Sequence, residues 1–344
     1  MNLPSIKDAD LKGKTVLLRA DVDVTVTNKK ISDDFRLKTS LETLNYLLEN
    51  ASKVIICGHL GRPKGKDESL SLEIVADWYA KNLNGKVSKT KLSDFDAFEI
   101  LPNLVLLENL RFDPGEEVDD PDFSKKLSLL AQVYVNDAFA SSHRKHASIY
   151  GAAKLLPHFA GLHLEKEVEE LSKVLENPVR PLTVIIGGAK IETKLPLVSK
   201  MHKFADYVLV GGELVEEDKV LLRVAHQKEG IIKSILFVAD LTADGKDITE
   251  YSTQNFIQII SRSKTIVWNG PMGQFEQCFD QGTRELAQGI AESGAYSVVG
   301  GGNTVEFLEK EGLMGKFSFV STGGGAMLEF LAGEKLPGLE VLEP

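Results

Sequence analysis

The sequence is poor in the residues that mark several protein classes. Two cysteines in 344 residues, Cys57 and Cys278, stand far apart and outside any CxxC pattern. That excludes a disulfide framework and a thiolate metal site, and fits a reducing cytoplasm. No apolar run approaches the roughly 20 residues that a membrane-spanning helix needs. The opening "MNLPSIKDADLKGK" has no apolar export core, so an unexported protein with no membrane partner is expected. Basic residues are outnumbered, 40 Lys and Arg against 50 Asp and Glu, for a net charge of −10. No broad cationic face is available, and nucleic acid is not an expected partner. Neither GxxxxGK[ST] nor GxGxxG occurs, so the usual phosphate-loop and dinucleotide fingerprints are missing.

What is present reads as an α/β protein. Length and a 43% hydrophobic, 26% charged composition imply two globular domains. Short β-branched runs alternate with amphipathic stretches: "KTVLLRAD" at 14–21, "RLKTSLETLNYLLEN" at 36–50, "KVIICG" at 53–58 and "SLEIVADWYAKNL" at 71–83. That rhythm is βαβα with buried strands, the pattern of a parallel sheet covered by helices. Further strands are expected near 104–107, 132–136, 182–186, 206–210, 235–239, 264–268, 296–299 and 317–320. So many strands exceed one sheet, and two doubly wound, Rossmann-like domains follow. "GLHLEKEVEELSKVLE" at 161–176 places Leu164, Val168, Leu171 and Leu175 on one stripe, and the prolines of "ENPVRP" end that helix. The expected division is 1–160, an inter-domain helix and hinge at 161–180, and 181–344, with the C-terminal tail free to return to the first domain.

In an open α/β sheet, ligands sit beyond the carboxyl ends of the strands. In the second half these positions read "IIGGAKIETK" (185–194), "LVGGEL" (209–214), "VWNGPMGQFE" (267–276), "VVGGGNT" (298–304) and "VSTGGGAM" (320–327). One glycine pair there would mean only a tight turn. Five, with Lys190 and Lys194 four apart, point to nucleotide phosphate held by backbone N–H groups and lysines. In the first half the strand ends carry Arg19, Asp21 and Asp23, then Arg36, "GHLGRPKGK" (58–66), "LENLRFD" (107–113) and "NDAFASSHRKHAS" (136–148). Arg36, His59, Arg62, Arg111, His143 and Arg144 together describe an anion pocket, suited to the bidentate guanidinium fork. His143 and His146 have the i, i+3 spacing of a metal pair but no third ligand, and are expected solvated or hydrogen-bonded. Asp137 is expected to be a structural acceptor. An anion pocket on one domain and a nucleotide pocket on the other imply phosphoryl transfer in a cleft that closes against water.

These segments resemble the phosphoglycerate kinase family over nearly the whole chain. "VLLRADVDV", "HLGRPKG", "LLENLRFDPGEE", "VNDAFASSHRKHAS", "IIGGAKIETK", "TIVWNGPMGQFE", "SVVGGGNTV" and "VSTGGGAMLEFLAGEKLPG" stand in the family's order. The resemblance implies reversible transfer between 1,3-bisphosphoglycerate and ADP, giving 3-phosphoglycerate and ATP, by a monomer that uses Mg2+ with ADP or ATP. It implies a glycerate site of Asp21, Val22, Asp23, Arg36, His59, Leu60, Gly61, Arg62, Arg111 and Arg144. The nucleotide site would use Gly187, Gly188, Lys190, Lys194, Gly211, Gly212, Asn269, Pro271, Glu276, Gly301, Gly302, Asn303 and Thr304. Arg36, Lys190 and the N–H groups around Gly324 would cancel charge on the transferred phosphoryl.

Several positions depart from the family's pattern. Asp23 and Thr25 stand where the family has asparagine and proline, bringing a second carboxylate to an anion site. Asn303 stands for an aspartate near magnesium, leaving a weak metal contact made mostly through nucleotide phosphates. The chain is short after Gly212 and before "LLENLRF", and the family's "DIGP" turn is unrecognisable in "DITEYSTQNF" (247–256). Two readings follow: a compact active kinase, favoured by the retained cations and glycines, and a non-catalytic descendant that binds a nucleotide or phosphorylated metabolite.

Overall fold

The strand Thr15–Ala20 (β1) is buried along nearly its whole length, Arg19 included, because helices cover both faces of its sheet. In the computed structural model, which describes residues 3–188, 198, 200–212 and 234–343, β1 is central to a seven-stranded sheet. Its parallel neighbours are Lys53–Cys57 (β4) and Val133–Asp137 (β8), flanked in turn by Leu104–Leu107 (β7) and His158–Ala160 (β9). The chain winds from β1 through β4 to β7, then returns to the other side for β8 and β9. With right-handed crossovers, that reversal puts helices on opposite faces, the doubly wound arrangement. Helix Phe35–Asn50 (α1) packs against β4 through Leu37, Leu44 and Leu47, and Glu73–Leu83 (α2) covers the sheet through Val75, Ala76 and Tyr79.

The sheet is not wholly parallel. Ser88–Leu92 (β5) and Phe95–Leu101 (β6) add an antiparallel edge beyond β7, and Thr25–Thr27 (β2) pairs with Lys30–Asp33 (β3) in a separate hairpin. β2, β3 and β5 are largely exposed, and β6 buries Ala97, Phe98 and Ile100 but interrupts its apolar residues with Asp96 and Glu99, so none carries the continuous apolar run that marked the central strands.

The second sheet, among the described residues, is parallel throughout, with six strands in the order Ile235–Val238 (β12), Tyr207–Val210 (β11), Leu182–Ile186 (β10), Thr265–Asn269 (β13), Tyr296–Gly300 (β14) and Phe319–Val320 (β15). Numbered from β10, this is 3-2-1-4-5-6, with its switch point between β10 and β13. Helices Glu250–Ile260 (α5) and Gln281–Glu292 (α6) pack on each other; Gly302–Lys310 (α7) and Gly324–Leu331 (α8) lean on β14.

The chain divides into two compact units, Met1–Glu169 with Lys335–Pro344, and Glu170–Glu334. The first break falls inside the helix Leu162–Glu176 (α4). Its buried stripe is Leu164, Val168, Leu171 and Val174; Leu175 is only half-buried. His163 and Glu167 are buried on the same helix, where each neutralises the other across 3.3 Å. The last residues close the first unit: the Gly338 N–H donates to the Ser142 carbonyl (2.8 Å), and Asn136 Nδ2 donates to the Gly338 carbonyl (3.0 Å). Among the described residues, no helix is long and apolar enough to cross a membrane.

Candidate functional site

In the first unit the carboxyl ends of β1, β4, β7 and β8 converge on the switch point between β1 and β8. Asp21, leaving β1, is buried and bridges that point. Its carboxylate accepts from the Ala140 N–H (2.7 Å) and the Ser141 hydroxyl (3.1 Å) in the loop after β8. Burial pushes its pKa up, against the opposing pull of Arg36 and Arg19. Val22 packs beneath, and Asp23 opens toward solvent. The Asp23 Oδ1 accepts the Gly61 N–H (2.8 Å). Its Oδ2 lies 3.9 Å from Arg36 NH1 and 3.7 Å from His59 Nε2. Arg36 sits in the first turn of α1, whose start is fixed by the Asp33 carboxylate accepting the Phe35 N–H (2.9 Å), and donates to the Asp23 carbonyl (2.6 Å). The added carboxylate is thus surrounded by donors of its own chain.

After β4, the Asn109 amide fixes the path of His59, Leu60 and Gly61 by donating to the carbonyls of Leu60 (2.8 Å) and Leu70 (2.9 Å). Arg111 donates through NH1 to the Gly61 carbonyl (2.7 Å), and its Nε lies 3.3 Å from Glu117. Its NH2 is buried with no hydrogen-bond partner among the described residues. Arg144 is half-buried, close enough to depress the Arg111 pKa further after burial itself; Arg62 is exposed.

His143 and His146 differ from expectation. His146 is buried, His143 is partly so, and neither Nδ1 has a hydrogen-bond partner among the described residues. Burial and the neighbouring arginines push His143 down to about 4 and His146 down to about 3, so both are neutral near pH 7. The His146 Nδ1 lies 3.8 Å from Glu116, and Arg111 and these two rings thus bring nitrogen atoms with no hydrogen bond from a described residue into one cluster, chemistry that suits an oxygen-rich ligand. Asp137 fills its structural role: its carboxylate accepts the N–H groups of His163 and Leu164 (both 3.1 Å) at the start of α4.

In the second unit, glycine turns stand at the carboxyl ends of β10, β11, β13, β14 and the segment after β15. Gly187 N donates to the Asn269 carbonyl (2.9 Å), Gly188 N to that of Pro271 (2.7 Å) and Gly211 N to that of Ile186 (3.0 Å), tying the ends of β10, β11 and β13 together. Gly212 follows in the turn after β11. Asn269 Nδ2 donates to the Gly324 carbonyl (3.0 Å), and the buried Thr304 hydroxyl accepts the Gly270 N–H (2.9 Å).

The two glycine triplets serve two purposes. Gly301 has φ +103°, and a Cβ on Gly324 would lie 2.4 Å from the Gly301 Cα, so these two are bare because the turns pack against each other. Among the described residues, a Cβ on Gly302 or Gly325 meets nothing within 4 Å. No described residue packs against those two; they stand at the N-termini of α7 and α8, where backbone N–H groups and the helix dipole favour an anion.

Glu276 and Asn303 meet each other: Asn303 Nδ2 donates to Glu276 Oε1 (2.8 Å). Lys190 and Lys194 lie outside the described residues. Asp247, in the stretch with no legible turn, is buried and accepts the N–H groups of Ile248 (2.8 Å) and Gly282 (3.0 Å). It pins the N-terminus of α6 beside the loop that presents Glu276; a lone aspartate before an apolar residue gave no sign of this. Among the described residues, no three His, Cys, Asp or Glu side chains form a cluster able to hold a metal ion.

The phosphoglycerate kinase family model matches residues 6–218 and 217–334 of this chain. A curated phosphoglycerate kinase of Dictyoglomus turgidum is 39% identical, with 98% of each chain covered. That alignment spans 388 positions against 344 residues, so the relative carries segments this chain lacks. Among solved structures, phosphoglycerate kinase of Pyrococcus horikoshii OT3 superposes with a TM-score of 0.84 at 30% identity, covering 99% of this chain and 98% of that one. That of Coxiella burnetii gives 0.80 at 33%, covering 99% of both.

Proposed function

Because this chain belongs to the phosphoglycerate kinase family and is thereby a kinase of glycolysis, we propose that it moves a phosphoryl group reversibly between 1,3-bisphosphoglycerate and ADP, giving 3-phosphoglycerate and ATP. The observation that carries this reading is the space that the described residues leave at Gly302 and Gly325, on a unit whose companion in the same chain holds Arg111, His143 and His146 with nitrogens that no described residue hydrogen-bonds.

The glycerate substrate binds at the strand ends of the first unit. Arg36, Arg62, Arg111 and Arg144 meet its anionic groups, His59 adds a neutral donor, and Asp21 to Asp23, Leu60 and Gly61 shape the floor. The nucleotide binds at the glycine turns of the second unit, with Gly187, Gly188, Gly211, Gly212, Asn269 and Pro271 as its wall. Gly301, Gly302 and Thr304 lie at its phosphates, Lys190 and Lys194 supply charge, and Glu276 contacts a polar end. The attacking group is a carboxylate oxygen in one direction and a phosphate oxygen in the other, so no general base is required. Asp21, with both oxygens occupied, is scaffold. Positioning and charge cancellation carry the reaction: Arg36 and Lys190 flank the transferred phosphoryl, and the N–H groups around Gly324 point at its developing charge. Magnesium supplies further neutralisation when it arrives on the nucleotide phosphates. The chain's own donors offer it no cage among the described residues, and the Asn303 carbonyl oxygen is their single contribution there. An acyl phosphate has to be shielded from water during turnover. The same reading gives a cytoplasmic monomer.

The test is turnover of the purified chain with 3-phosphoglycerate and MgATP, coupled to removal of the acyl phosphate, with Arg36→Ala as control. Turnover that the control abolishes is expected. A folded protein with no turnover would overturn the catalytic reading and leave a nucleotide- or metabolite-binding descendant.

A further inference from the structure

Arg19 projects from β1 into the interior and is fully buried. Its guanidinium donates from Nε to the Ser148 hydroxyl (2.8 Å), from NH1 to the Ala20 carbonyl (2.6 Å), and from NH2 to His59 Nδ1 (3.0 Å). Ser148 passes the contact on to Glu116, whose carboxylate accepts the Ser148 hydroxyl (2.6 Å) and N–H (3.0 Å). Glu116 is itself fully buried, so this is an ion pair bridged by a hydroxyl and held rigid by the core.

A guanidinium has five donors and no acceptor. The His59 nitrogen it meets must therefore carry the lone pair, and the ring proton must sit on Nε2. A doubly protonated ring would set donor against donor, and burial beside Arg19, Arg111 and Arg36 holds the His59 pKa well below its usual value. Nε2 lies 3.7 Å from Asp23 Oδ2, beyond hydrogen-bond reach, which leaves its N–H for an incoming oxygen.

We propose that Arg19 is a positioning residue: by donating to Nδ1 it fixes His59 as the Nε2–H tautomer and aims a neutral donor at the anionic oxygen that Arg36 binds. This rests on the first unit being the glycerate site. The opposite tautomer would turn a lone pair toward that anion. Losing a hydrogen bond to a charged group costs about tenfold or more in affinity.

The tautomer is read directly by 15N-detected NMR of the ligand-free chain labelled at histidine, with His59 assigned by its loss in His59→Gln. A protonated Nε2 and bare Nδ1 are expected; a protonated Nδ1, alone or with Nε2, overturns the proposal. Because no substrate is present, that result stands apart from turnover, which judges the kinase reading. The double variant Arg19→Met/Glu116→Gln removes the buried charges together and should give a mixed tautomer; an unchanged Nε2–H signature would show that Arg19 does not set it. Glutamine places its amide nitrogen near the position of Nε2 and asparagine near that of Nδ1. His59→Gln should therefore keep KM for 3-phosphoglycerate within a few-fold and His59→Asn should raise it about tenfold; the reverse order refutes the Nε2 donor.

Discussion

The substitution Asp23→Asn removes a charge from the anion site and almost nothing else. The amide oxygen of the new side chain can still accept the Gly61 N–H, and the Arg36 contact to the carbonyl at this position is made to backbone. What leaves is a carboxylate 3.9 Å from Arg36 and 3.7 Å from His59. A substrate oxygen on Arg36 would lie roughly 5 Å from that carboxylate, where two unit charges repel by about 0.8 kcal/mol in water and about 3 kcal/mol at an effective dielectric of 20. Asp23 is 37% exposed, which favours the lower figure. The variant should bind 3-phosphoglycerate about fivefold more tightly at low salt, and the gain should shrink as ionic strength rises. It should also be less stable by about 1 kcal/mol, because Asp23 counters the positive field on Arg111. Calorimetric titration at two salt concentrations, with urea unfolding of both proteins, measures each part. Unchanged or weaker binding at low salt would refute the placement of Asp23 in the substrate's field.

Three further outcomes follow from the geometry. Gly325→Ala should stabilise α8 by up to about 1 kcal/mol, since a Cβ there meets no described residue, yet weaken nucleotide binding; Gly324→Ala should destabilise the second unit by a few kcal/mol, since its Cβ strikes the Gly301 backbone. Thermal melts and nucleotide titrations separate the two, and unimpaired nucleotide binding in Gly325→Ala would remove that turn from the site. His146, pushed down to about 3, stays neutral in the fold while the unfolded ring gains a proton below about 6.5. It therefore costs stability as pH falls, and His146→Gln should gain on the parent by about 1.4 kcal/mol per pH unit between 6.5 and 4; equal slopes in urea unfolding would show the ring protonated in the native state. Asn303→Asp sets a carboxylate where the amide nitrogen now meets Glu276 at 2.8 Å. Nucleotide binding should weaken without magnesium and strengthen with it, and a magnesium titration that shows no crossover would exclude position 303 from the metal's surroundings.

The central strands and the ligand-bearing ends were legible because parallel strands covered on both faces must be apolar runs, and because glycines and arginines collected just after them. The β5–β6 edge was not legible: Lys89, Lys91, Asp96 and Glu99 face solvent there, so no apolar run marks it. The β2–β3 turn rests on Asn28 and Lys29, both at positive φ, and lacks the glycine that usually signals such a turn. On α4, His163 and Glu167 lie outside the apolar stripe and are nonetheless buried, 3.3 Å apart. Arg19 was read as one more cation at a strand end; its partners Ser148 and Glu116 lie far along the chain, and only the fold brings them to it. Likewise, spacing could not say that Gly301 and Gly324 answer to each other while Gly302 and Gly325 answer to open space.

The return of Lys335–Pro344 to the first unit also orders events in time. During synthesis the ribosome has delivered Glu169 long before it delivers Gly338, and all of the second unit comes between them. At roughly 5–20 residues per second that interval is on the order of ten to thirty seconds. Until it ends, Ser142 and Asn136 lack the backbone groups they bind in the finished protein, and Ile149 lacks the packing of Gly338. The second unit is uninterrupted in sequence, whereas the first waits with an open seam until the last residues arrive. A chain truncated before residue 338 should accordingly expose its first half to protease more readily than the full chain does.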